Sequence, residues 1–369
     1  MVNRRSSADL AATSVTRRRF LYATGLAAVG LMSACGQAAG PSAPANASPS
    51  PSSAGASPAA GASGGSAALL PINVLNTPGA NVKALDALAK SQNYYAMFGV
   101  QPTIQYITDA TQINPALISG SSDVVVVAGV SPVFPAVDAG ATFKILAGAA
   151  VPPGTVVAVG NPQIKTPKDL EGKIVGTSSV GSTPYQIMVA LFKKFGVDAN
   201  KVQFVNIGAT ADIFKAIVAK KVDAGPLSVD FLPMMQQNGL TSISQTWVDL
   251  PDFVISGTIA SEQAMTKKRD TLVRLLAVYA QLYRYMNDPA SEAGYDAGYV
   301  AAGGDEAGAK IQWQWWKDNK GLDTGLTLTD QQINYMQQLN VDLGVQKALL
   351  PINRVADMSL AQDALKLLK

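Results

Sequence analysis

From Ile72 onward, short apolar runs alternate with segments whose apolar residues recur at helical spacing. That alternation constrains the fold more than any other feature. Repeated strand–helix–strand units build parallel sheets with right-handed crossovers, hence an α/β architecture. Strands are expected over 72–75, 102–107, 124–128, 143–147 and 156–159, then over 173–176, 202–207, 222–227 and 254–260. The unbroken β-branched run at Val124–Ala128 suits a strand buried on both faces. Helices are expected over 83–98, 110–119 and 211–220, with three long ones over 262–286, through Trp313 and Trp316, and over 330–343. Another opens at Thr183-Pro184, with Thr183 as cap and Pro184 in the first turn, and Gly196 closes it. Trp313, Trp315 and Trp316 on the second long helix are expected to be core.

This order predicts two doubly wound α/β domains around a hinged cleft, with a helical C-terminal part. The first domain is discontinuous, 69–158 and 256–369, and the second is inserted as 159–255. The chain is expected to cross between them near 156–161 and again near 244–257.

Upstream, residues 1–34 read as an export signal: basic residues, a short apolar stretch, then small residues. Arg17-Arg18-Arg19-Phe20-Leu21 suits the twin-arginine route. Leu31-Met32-Ser33-Ala34-Cys35 is similar to a lipobox, which makes Cys35 the lipidation site and the bilayer a partner. Residues 35–68 are almost wholly Ala, Ser, Gly and Pro after the cysteine. They read as a flexible tether spanning about 30 Å, with a glycosylated stalk as the rival reading.

The chain carries 29 basic and 26 acidic residues. Five arginines and one aspartate precede Cys35, so the mature balance is 24 against 25. No basic face is left to argue for nucleic acid. Cys35 is the only cysteine, so no disulfide is available. There is no histidine, which removes the commonest general base and metal ligand. No cofactor or metal is expected, no catalytic residue is assigned, and a monomer is expected.

Four stretches carry a resemblance. They are Ala116 to Val124 with its Gly120-Ser121-Ser122-Asp123, and Ile164 to Gly176 with Asp169-Leu170-Glu171-Gly172-Lys173. The others are Phe195 to Val202, followed by Ile207-Gly208, and Ala216 to Ala224, with Lys220 where glycine is usual. In their order and spacing the chain resembles the type II periplasmic-binding-protein fold. It is similar to solute-binding lipoproteins of ABC importers for nitrate, sulfonate, taurine and thiamine-pyrimidine precursors. The resemblance implies a small-molecule ligand held between closing domains and a permease partner in the membrane.

In open α/β sheets, ligands bind beyond the carboxyl ends of strands. The candidates at those positions are Asn76 and Thr77; Gly129, Val130, Ser131 and Phe134; Ser179, Gly181, Ser182, Thr183 and Tyr185; Ser228, Asp230 and Phe231; and Phe253. Hydroxyls and free N–H groups at helix starts suit a carboxylate, sulfonate or ring acceptor; Ser131, Ser182 and Thr183 read equally as caps. Phe134, Tyr185, Phe231 and Phe253 are placed to clamp a flat ring. Asp230 is placed to meet a ligand amine or ring N–H. Beyond Cys35 the arginines are Arg269, Arg274, Arg284 and Arg354, all in the helical part. This favours a nitrogenous ring compound, pyrimidine- or flavin-like, over sulfonate, taurine or nitrate. A ligand-sensing surface lipoprotein and an enzyme of thiamine-pyrimidine synthesis stay open as alternatives, the second opposed by the missing histidine.

Overall fold

The computed structural model describes residues 68–107, 112–150 and 154–368. The predicted leader, Cys35 and the tether up to residue 67 lie outside the described residues. In chain order the strands are β1 (Leu70–Asn76), β2 (Val100–Tyr106), β3 (Val124–Ala128), β4 (Phe143–Gly148), β5 (Thr155–Val159), β6 (Ile174–Thr177), β7 (Gln203–Asn206), β8 (Ala224–Ser228), β9 (Thr241–Gln245) and β10 (Gly257–Ser261). They form two five-stranded sheets, ordered β2-β1-β3-β10-β4 and β7-β6-β8-β5-β9. Each sheet is the middle layer of one lobe.

β1 runs parallel to β2 and β3, and β6 runs parallel to β7 and β8. The exceptions are β10, antiparallel to β3 and β4, and β5, antiparallel to β8 and β9. These are the first strands after each chain crossing. A strand that enters from the other lobe starts at the carboxyl ends of its neighbours, so it must run against them. The sequence reading ended the first domain at 158, inside β5; its pairing with β8 and β9 puts β5 in the second sheet and moves the first crossing upstream, between Gly148 and Thr155.

The valine run behaves as expected: Val124, Val125 and Val126 are fully buried. Burying each such side chain contributes on the order of 1.5–3 kcal/mol, which fixes β3 in the middle of its sheet. The motif aspartates have structural duties. Asp123 accepts from Asn73 N at 2.8 Å and Lys268 Nζ at 2.7 Å, and Asp223 accepts from Ile174 N at 2.8 Å. Each ties the start of one strand to its neighbour, one pair per lobe. Lys220 adopts φ 56°, the left-handed conformation for which glycine is better suited.

Eight helices matter for the site: α1 (Ala80–Ser91), α2 (Val133–Asp138), α3 (Thr183–Phe195), α4 (Thr210–Val218), α5 (Arg269–Met286), α6 (Glu292–Ala301), α7 (Glu306–Asn319) and α8 (Asp330–Asp342). The predicted helix over 83–98 breaks at Asn93, left-handed at φ 58°, and a short helix Tyr94–Met97 follows. The one over 262–286 breaks at Lys268 into Glu262–Lys267 and α5. α3 starts one residue earlier than predicted: Ser182, not Thr183, is the capping position. Trp313, Trp315 and Trp316 are buried in the core. The C-terminal helices are shared between lobes. α7 packs on the second lobe's segments Val229–Phe231 and Leu232–Gln237, and α8 packs on both α2 and α3.

Candidate ligand-binding site between the lobes

The two crossings lie side by side. Ala149 N donates to Ser256 O at 3.1 Å, and Ala150 N donates to Ser256 Oγ at 3.1 Å. A third segment joins them: Leu322 bridges Ala150 antiparallel, and Asp323 N donates to Ala149 O at 2.9 Å. Trp315 is wedged beside this ribbon. A Cβ on Gly154 would lie 2.9 Å from its ring, and the Trp247 ring sits edge-on at 5.4 Å. Among the described residues, the two crossings are where the chain passes from one sheet to the other, the position a hinge between two lobes occupies.

Beyond the ribbon, the carboxyl ends of β3 and β6 present loops to each other. β3 ends irregularly. Its register against β10 shifts, and Val127 has φ 52°, an outlier for a β-branched residue. Such strain persists only where surrounding structure enforces it, and here it aims Gly129 to Ser131 at the second lobe. Gly129 lies against the start of α3: a Cβ there would overlap Thr183 Oγ1 and lie 3.7 Å from Thr183 Cβ. Asn340 of α8 ties the same surfaces together. Its Nδ2 donates to Ser131 O at 2.9 Å, and its Oδ1 accepts from Gln186 Nε2 of α3. Ser131 Oγ, Ser182 Oγ and Gln186 Oε1 are buried without a hydrogen-bond partner. Ser182 makes no side-chain cap bond, so its hydroxyl is not occupied by the helix it starts.

A second polar cluster sits at the carboxyl ends of β1 and β2. Asp86 of α1 accepts from Asn76 Nδ2 at 2.9 Å, Tyr106 OH at 2.7 Å and Tyr279 OH at 2.7 Å. The carboxylate fixes the Asn76 amide, whose Oδ1 is buried and unpartnered. Burial pushes the Asp86 carboxyl up, while bonds from Tyr279, Tyr106 and Asn76 pull it down. A third cluster follows β8. Asp230 is buried and accepts from Ser228 Oγ and, across the lobes, from Tyr299 OH of α6. Burial raises its pKa above the ordinary value, opposed by those bonds and reinforced by Asp305.

The remaining predicted residues divide. Thr77 and Gly181 (φ 82°) are partly buried, and Ser179 is exposed. Phe134, Phe253 and Val130 are fully buried and packed among apolar core residues. Apolar side chains beside a strand end gained more by turning inward than by waiting for a ligand. Phe231 is half-buried against Phe214 at 5.6 Å, and Tyr185 packs on Phe204 at 4.7 Å, so the expected aromatic clamp is engaged within the second lobe. Sequence reasoning missed Asp86, Gln186 and Asn340. Asp86 had a signal, a lone acid on the apolar face of α1 between Leu85 and Leu88. Gln186 follows Ser182 by four residues and so shares its helix face. Asn340 had no signal.

Asp86 and Asp230 bind protons more tightly in the folded protein than in the unfolded chain. Their contribution to stability is therefore largest below the ordinary value of 3.8 and is lost as pH rises through the raised folded values. Asp230→Asn removes one such group and keeps an oxygen for Ser228. Its melting temperature should match or exceed that of the parent at about pH 7 and lose that advantage by about pH 4. Melting curves across this range check it; an advantage that grows in acid contradicts it.

Residues 84–293, more than half of the chain, match the family model described as NMT1/THI5 like. The chain belongs to the NMT1/THI5-like family. No curated protein matches it by sequence. Among solved structures it is similar to a ligand-binding component of an ABC-type import system from Staphylococcus aureus with zinc bound, at TM-score 0.65 and 13% identity, covering 80% of this chain and 99% of that one. It is similar to the alkanesulfonate-binding protein SsuA from Xanthomonas axonopodis pv. citri bound to MOPS, at TM-score 0.62 and 17% identity, covering 81% and 98%. It is similar also to the periplasmic nitrate-binding protein NrtA from Synechocystis PCC 6803, at TM-score 0.65 and 12% identity, covering 82% and 89%. At these identities the likeness establishes the fold, that of the periplasmic binding proteins. Among the described residues of this NMT1/THI5-like chain, no cluster of three or more His, Cys, Asp or Glu is placed to hold a metal, and no helix is long and apolar enough to cross a membrane.

Proposed function

We propose that this protein is the solute-binding component of an ABC importer. It captures a small organic molecule between its lobes and delivers it to a membrane permease, without chemistry. One observation carries the reading: the hydroxyls of Ser131 and Ser182, from opposite lobes, are buried without partners where the strand ends converge. Buried polar atoms are normally bonded, and an unbonded pair on facing surfaces is what a ligand completes. The hinge ribbon supplies the motion that capture requires. The printed functions of the similar structures point the same way.

The ligand class we favour is a nitrogenous ring compound, with sulfonate, taurine or nitrate next. Of the four arginines after Cys35, Arg269 pairs with Asp363, Arg274 pairs with Asp270, and Arg354 donates to Val137 O, so three are engaged with other groups. The acids at those ends, Asp86 and Asp230, oppose an anion. On the motif at Cys35, the protein is exported, acylated there and held on the outer face of the cytoplasmic membrane.

Native mass spectrometry of the full-length lipoprotein from mild detergent tests the reading. The expected result is a retained small organic mass. An empty protein whose melting is unmoved by pyrimidines, flavins, taurine, alkanesulfonates and nitrate would sink it.

A further inference from the structure

We propose that Gln186 is a specificity-determining residue: it presents a fixed carbonyl oxygen and so selects ligands that carry an N–H or O–H donor over acceptor-only anions. The inference rests on the solute-capture reading and narrows it.

The polarity of each amide here is forced. The backbone carbonyl of Ser131 can only accept. Asn340 must therefore turn its Nδ2 toward it, and does so at 2.9 Å. That leaves Asn340 Oδ1 on the other side, and this atom also can only accept. Gln186 must answer with its own Nε2, which is the bond observed. Its Oε1 is then the group left free, and it has no partner. Ser131, Gln186 and Asn340 are all at 0% exposure, so no amide in this relay can rotate without breaking a buried bond.

The relay runs from the loop after β3 in the first lobe, through α8, to α3 in the second. Gln186 stands one turn beyond Ser182, and the Gly129–Thr183 contact closes the same surface. The nearby free hydroxyls of Ser131 and Ser182 can donate or accept, so they do not discriminate. The amide oxygen does. Nitrate and a simple alkanesulfonate bring only acceptors and would set oxygen against oxygen. An amine, amide or amino-substituted ring brings the hydrogen this oxygen lacks.

Matched pairs test the proposal by calorimetry on the full-length protein: 4-aminopyrimidine against pyrimidine, and taurine against ethanesulfonate. In a pair that binds, the donor-bearing member should bind at least about tenfold tighter. Gln186→Met, similar in length but unable to accept strongly, should bring the ratio to within about threefold, chiefly by weakening the donor-bearing member. Equal binding within a pair by the parent protein, or an unchanged ratio in Gln186→Met, overturns the assignment. The relay has its own ligand-free readout in 15N-glutamine-labelled protein. Asn340→Leu should shift the Gln186 side-chain amide signals, and their staying in place overturns the assigned polarity. Shifted signals with no binding in either pair leave the relay standing and count against solute capture.

Discussion

Gly129→Val should weaken ligand binding by roughly a hundredfold, equivalent to about 2.7 kcal/mol, while the ligand-free protein melts within a few degrees of the parent. The backbone at Gly129 is not in the left-handed region, so a side chain brings no local strain. The conflict is across the lobes. A Cβ would overlap Thr183 Oγ1, with Thr183 Cβ at 3.7 Å, and valine's methyls reach further. Thr183 is β-branched, which restricts the χ1 rotation that could clear the overlap. The relief available is to hold the lobes apart, which disfavours the ligand-competent state. Gly129→Ala combined with Thr183→Ala should recover most of the affinity. Calorimetry on the ligand retained by the purified protein decides this, and small-angle scattering should show the valine variant failing to contract. Undiminished affinity would show that this contact does not form in the bound state.

Asp86→Ala should be the most damaging single change in the first lobe, costing about 3–5 kcal/mol. The residue is 4% exposed and holds three donors: Asn76, Tyr106 and Tyr279. Removing it orphans the buried Asn76 and Tyr279 groups at once, while Tyr106, 38% exposed, can turn to water. For a body of this size that corresponds to a melting temperature lower by roughly 10 °C. Asp86→Asn retains one acceptor and should cost less than half as much. Urea titrations of the three proteins check the order. Equal stability of Asp86→Ala and parent would mean that the cost of burying the carboxyl group cancels its bonds.

Much of the fold was legible because burial writes itself as hydrophobicity. Val124–Ala128 reads as a central strand on sight. β9, with the sequence Thr-Ser-Ile-Ser-Gln, did not, because it is a polar strand at a sheet edge. The sheet to which β5 belongs was also illegible. Its apolar residues suit the middle of either sheet, and only pairing with β8 and β9 decides. At the candidate site, the loops carrying Ser131, Ser182 and Asp230 were expected from the rule that ligands meet strand ends. The aromatic clamp did not follow, because a phenylalanine near a strand end reads the same whether it faces a ligand or the core. Asn340 was beyond reach: it comes from a helix more than 150 residues past Gln186, and nothing local marks it.

The place of β10 has a consequence for how the molecule is made. All strands of the second sheet lie within residues 155–245, whereas the first sheet's β3 and β4 are joined only through β10, at Gly257–Ser261. As the chain leaves the ribosome, the inserted lobe therefore has its full set of strands while the earlier lobe is still split down its centre. Long-range pairing of this kind is slow and leaves strand edges open in the meantime. The N-terminal half thus waits on the middle of the chain for its closure, and a nascent chain halted near residue 250 would carry one finished sheet and two unpaired edges.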